Sequence, residues 1–153
     1  MGIFPLFKKK AFFSAPEQAQ IVEAIRIAER ETSGEIRIFV ESRNPFMDPL
    51  ERAAEVFFKL KMHETEHRNA VLLYIAMKDH ELALFGDEGI HKKVGSEYWK
   101  NEVNNMIAEF ANHHISTGIE KCVLQIGQTL KQTFPYEATT DKNELPDDMI
   151  FGK

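Results

Sequence analysis

A hairpin fixes most of what this chain can become. Residues 68–90 read RNAVLLYIAMKDHELALFGDEGI. An unbroken apolar run, Ala70 to Met77, meets the polar tripeptide Lys78-Asp79-His80. A second apolar run, Leu82 to Phe85, stops at Gly86-Asp87-Glu88-Gly89. Two such runs around a tight polar turn predict antiparallel strands. The chain returns on itself, so Arg68 and Asn69 at the entrance should lie beside Asp87 and Glu88 at the exit. The first run is apolar at every position, which demands cover on both faces of its sheet.

The flanking segments supply that cover. Ser14, with Glu17 three residues on and Pro16 in the first turn, predicts a helix start, and Ile21, Val22, Ile25 and Ala28 recur at helical spacing. That helix should stop near Ser33-Gly34. A β-branched strand follows from Ile36 to Val40. Asp48-Pro49-Leu50-Glu51 opens a second helix with an acceptor at the cap and proline at the first position. After the hairpin, Gly95-Ser96 precedes a helix carrying Trp99, Val103, Met106, Ile107 and Phe110. Ser116 caps a fourth, with Ile119, Val123, Ile126 and Leu130, ending at Phe134-Pro135.

Strand, helix, strand is a βαβ unit, so the first two strands should be parallel, while the third runs antiparallel to the second. The fold class is therefore α/β, a three-layer α/β/α sandwich around a small mixed parallel and antiparallel sheet. A chain of 153 residues is one domain on size. Residues 1–11 read as a flexible arm, 12–135 as the domain, and 136–153 as an acidic tail.

Charge excludes one class of partner. The net charge is -5 with acids and bases interleaved, and nucleic acid binding needs a concentrated basic face. Cys122 is the only cysteine, so a reducing, cytoplasmic location is expected. It should be a small buried helix residue. No apolar run approaches the ~20 residues of a membrane span. The charges of the N-terminus follow its apolar residues, against the order of a secretory signal.

This topology gathers Glu35, Arg68, Asn69, Asp87 and Glu88 at one sheet end. The other end collects Glu41, Ser42, Asp48 and Asp79. Ligands of parallel sheets favour the carboxyl ends of strands, which points to the second group. Gly86 and Gly89, able to wrap a loop tightly around a ligand, point to the first, the candidate site. Its metal ligands are Asp87, Glu88, Asn69 and Glu35: hard oxygen donors that suit Ca²⁺ or Mg²⁺. The same residues admit a structural role, with Asp87 capping a helical turn near Ile90 and Arg68 paired to a carboxylate.

His63-Glu64-Thr65-Glu66-His67 matches the zinc-peptidase pattern, which needs both histidines on one face of a continuous helix. Here the motif falls where a helix ends and a strand begins, so a solvated connection is expected. His91, beside the acidic loop, is the other histidine of interest. No phosphate loop, serine elbow or phosphatase Asp-x-Asp strand is present.

Taken together, Thr32-Ser33-Gly34-Glu35-Ile36-Arg37, Thr65, Arg68-Asn69 before an apolar strand, and Gly86-Asp87-x-Gly89-Ile90 resemble the TPM domain family. The likeness is to its short bacterial members without signal peptide or membrane helix. It runs from about Phe12 to about Phe134, and Asn143-Glu144-Leu145-Pro146 also fits. The resemblance implies a three-layer fold with a fourth strand that the sequence does not place. It implies divalent cation binding in some members and acid phosphatase activity in a plant relative, while others are accessory domains of membrane proteins. Asp87 carries over first, then Glu35, Asn69 and Glu88. The expectation is a cation-binding accessory or interaction domain with a protein partner. The alternative is a metal-assisted phosphomonoester hydrolase without an assigned catalytic residue.

Overall fold

The computed structural model describes residues 12–45, 47–112, 114–136 and 149–152. Their elements run α1 (Ala15–Glu29), β1 (Glu35–Glu41), α2 (Pro49–Lys59), β2 (Ala70–Ala76), β3 (Glu81–Gly86), α3 (Glu88–Ala111), α4 (Ile115–Thr133) and β4 (Met149–Phe151). Local chemistry sets the first boundaries. Ser14 and Glu17 form a reciprocal capping box, 2.8 and 3.2 Å, at the start of α1. Asp48 accepts from the Leu50 amide at 3.0 Å to open α2, with Pro49 at its first position.

The sheet order is β3-β2-β1-β4. β1 and β2 are parallel, from Glu35 opposite Ala70 to Glu41 opposite Ala76. β3 returns antiparallel to β2, with Gly86 opposite Val71. Every residue of β2 is buried, because α1, α3 and α4 cover one face and α2 the other. The larger core joins Ile21, Ile25, Ile38, Leu73, Ile126 and Leu130. The smaller core sets Val56, Phe57 and Met62 against Leu72. This is the expected α/β sandwich.

Several boundaries differ from the sequence reading. β4 lies within the span read as an acidic tail and pairs parallel with β1, Ile38 opposite Met149. The arm 1–11 and residues 137–148 lie outside the described residues. α3 begins seven residues before Gly95, which interrupts it at φ 80°, ψ 171° instead of starting it. α4 begins after His114, not Ser116. The Ser116 hydroxyl instead donates to Glu17 at 3.3 Å, joining α4 to α1.

Candidate functional site

The hairpin brings its entrance and exit together as its sequence requires. The Asp87 amide donates to the Ala70 carbonyl at 2.9 Å, so the register of the strands continues past Gly86. Asp87 is then the cap of α3, and its Oδ1 accepts from the Glu88 amide at 2.8 Å. Both carboxylate oxygens also accept from Arg68, Nε to Oδ2 at 2.6 Å and Nη2 to Oδ1 at 2.8 Å. Arg68 holds this pose from the left-handed region, φ 52°. The hydrogen bonds to Asp87 raise its pKa further, so the guanidinium stays charged.

Gly89 closes the corner. Its amide donates to the Arg68 carbonyl at 2.8 Å, and a Cβ there would lie 2.2 Å from the His67 carbonyl oxygen. Only glycine lets the α3 terminus approach the incoming chain so closely.

Asp87 is buried, whereas the Glu88 side chain is 59 % exposed and reaches Arg68 at 3.5 Å. Asn69 is fully buried, and its Nδ2 donates to Ser33 Oγ at 3.1 Å. Among the described residues its Oδ1 has no hydrogen-bond partner, and neither has the buried Thr65 Oγ1 in the same connection. Glu35, also buried, starts β1 in register with Ala70, next to Asn69. All four expected ligands therefore belong to one sheet end. Among the described residues, no group of three or more His, Cys, Asp or Glu could hold a metal ion. Ser33 and Thr65 were absent from the expected ligand set. The signal that could have found them is their place in the same motif as Glu35 and Asn69.

The zinc-peptidase arrangement is missing for a geometric reason. α2 ends at Lys59, and residues 61–68 form turns bounded by left-handed Lys61 and Arg68. His63 and His67 thus share no helical face. His91 accepts from Trp99 Nε1 at 3.1 Å.

The opposite sheet end is occupied structurally. Arg52 donates to both oxygens of buried Glu41 at 2.9 Å, and the Tyr74 hydroxyl donates to the same carboxylate. Burial, then the hydrogen bond to Glu41, pushes the Tyr74 hydroxyl pKa far up. Asp79 accepts from the Asn44 amide at 2.7 Å and from Arg43 at 3.0 Å. Asp48 is the α2 cap.

One cavity of about 820 Å³ reaches the corner. β3 from Leu82 to Gly86 forms its floor. Pro49, Leu50 and Phe58 on α2 form one wall, and Trp99, Lys100 and Val103 on α3 form the other. Arg68, Asp87 and Glu88 also line it. Among the described residues, no helix is long and apolar enough to cross a membrane.

Known structures share this fold. The chain is 35% identical to the BA42 protein of the psychrophilic bacterium Bizionia argentinensis, whose NMR structure superposes with a TM-score of 0.84 over 92% of this chain and 96% of that one. The N-terminal domain of a P. gingivalis protein gives 0.67 at 12% identity, covering 80% of this chain and 78% of that one. The N-terminal domain of cg2496 from Corynebacterium glutamicum gives 0.64 at 10%, covering 88% and 83%. These two show the fold alone. No curated protein matches the chain. The TPM domain model matches residues 6–129, and with most of its length accounted for the chain belongs to the TPM domain family.

Proposed function

We infer that this TPM domain is a divalent-cation-binding accessory module that takes Ca²⁺ or Mg²⁺ at the corner of Glu35, Asn69, Asp87 and Glu88. The observation that carries this reading is the Asn69 amide oxygen, fully buried and without a hydrogen-bond partner among the described residues. Leaving such an acceptor unmade costs about 1–3 kcal/mol, and a hard cation would satisfy it. Asp87 retains coordinating capacity. Of roughly four lone-pair sites on a carboxylate, Arg68 takes two and the Glu88 amide one. Arg68 opposes a second positive charge, so the site is of low affinity and its filling loosens the Arg68 contact.

Amide NMR of metal-free protein titrated with Ca²⁺ and then Mg²⁺ tests this. Saturable shifts at Asn69, Asp87 and Glu88 are expected, and Asp87→Asn should abolish them. Shifts scattered over surface carboxylates, or unchanged in that variant, would sink the assignment.

A second reading, metal-assisted phosphomonoester hydrolysis, is favoured by Arg68, whose side chain is 35% exposed at the cavity edge. It could meet the anionic ester while the cation lowers the pKa of a bound water. A generic phosphomonoester assayed with Mg²⁺ and with chelator decides. Turnover that survives Asp87→Ala would count against it.

A further inference from the structure

β3 is the end strand of the sheet, and its free edge is the floor of the 820 Å³ cavity. The hydrogen-bond phase of that edge can be read from its partner. Asp87 and Ala70 form a bonded pair through the Asp87 amide. Bonded pairs alternate along an antiparallel ladder, so Glu81, Ala83 and Phe85 turn their N–H and C=O groups toward β2. Leu82, Leu84 and Gly86 turn theirs outward. Those three residues span about 14 Å of unpaired ladder, with no described strand beyond them.

Natural sheets usually blunt such an edge with charge, proline or a bulge. Leu82-Ala83-Leu84-Phe85-Gly86 has none of these. The edge is instead recessed between two apolar walls. Leu50 and Phe58 on α2 are 51% and 47% exposed, large apolar side chains left to water on one wall. Trp99 forms the other and lies against Gly86, where a Cβ would come within 2.2 Å of its ring. Exposed Lys100 adds a cation with no ion pair among the described residues.

We propose that this groove is a docking site for an extended segment of a partner protein, which adds to the sheet as a strand beside β3. Backbone groups of the segment pair with Leu82, Leu84 and Gly86. Its side chains alternate between the Leu50–Phe58 wall and the Trp99–Val103 wall, so both of its faces are apolar. One acidic side chain lies level with Lys100 and complements its charge. A second copy of the domain fits less well. Its own β3 is flanked by the same two helices, which would meet the walls before the edges could pair.

The proposal is independent of the cation reading and is tested with chelator present. The probe is a blocked peptide of about six residues, valine and isoleucine around one aspartate. Saturable amide shifts and slowed hydrogen exchange at Leu82, Leu84 and Gly86 are expected. Methylating alternate peptide nitrogens should weaken binding at least tenfold, and Lys100→Glu should reverse the preference from the aspartate peptide to its lysine counterpart. Equal binding by the methylated peptide would overturn strand addition. So would the absence of binding at millimolar peptide. Edge amides already protected in the free protein would also overturn it, by assigning the groove to a second copy if protection scales with concentration, or to residues 1–11 if it vanishes on their removal.

Discussion

Asp87 and Arg68 grip one another across the mouth of the hairpin through two hydrogen bonds of 2.6 and 2.8 Å, one partner buried and the other a third exposed. The pair joins the connection entering β2, two residues before the strand begins, to the first residue after β3. It therefore locks the register of the hairpin to the start of α3.

Two substitutions separate the cap from the charge. Asparagine caps a helix as well as aspartate does, so Asp87→Asn should keep α3 while weakening the hold on Arg68. Asp87→Ala removes both, with about 1–2 kcal/mol lost from the cap alone. Urea unfolding of both variants should rank them in that order. Equal losses would mean that the cap contributes nothing.

Gly89→Ala places a methyl against the carbonyls of His67 and Arg68, at 2.2 and 2.6 Å. Backbone must shift, at a cost of about 3 kcal/mol. Gly95→Ala meets open space but must hold φ 80°, ψ 171°, a backbone region used essentially by glycine alone, at roughly 1–3 kcal/mol. Thermal unfolding should show the larger loss at Gly89.

At the opposite sheet end, Arg52→Met leaves the buried Glu41 carboxylate without its cation. Breaking such a pair costs roughly 3–5 kcal/mol. Arg52→Lys should rescue only part of this, because an ammonium cannot reproduce the two-pronged contact. Denaturant midpoints of the two variants check it.

Glu102 lies buried on α3, and loss of hydration raises its pKa above 4.5. The folded state therefore holds this proton more tightly than the unfolded chain does. Its contribution to stability is fully present below pH 4.5 and is lost as pH rises through the folded value. Glu102→Gln should thus be more stable than the parent at neutral pH, with the gap closing on acidification. A constant gap from pH 4 to pH 8 would contradict this.

The caps at Ser14 and Asp48 and the hairpin were legible because each is fixed by neighbours in sequence. The convergence of Asn69 with Asp87 followed from strand topology alone. β4 was not legible: three residues, Met149–Phe151, become a strand only because β1 offers an edge more than a hundred residues away. Gly95 marks a real break, but a local glycine signal does not say whether a helix starts there or bends there. The unpartnered oxygens of Thr65 and Asn69 depend on what surrounds them in space. So does the groove, whose walls come from two helices on opposite faces of the sheet.

The contact of Trp99 with Gly86 has an optical consequence. It is the chain's single tryptophan, its ring rests on the last residue of β3 and its indole N–H is tied to His91. All indole emission therefore originates at one wall of one cavity. Emission of the unlabelled protein excited selectively at tryptophan, past the absorption of its three tyrosines, reports on that wall alone, and displacement of water from the groove should move it toward the blue.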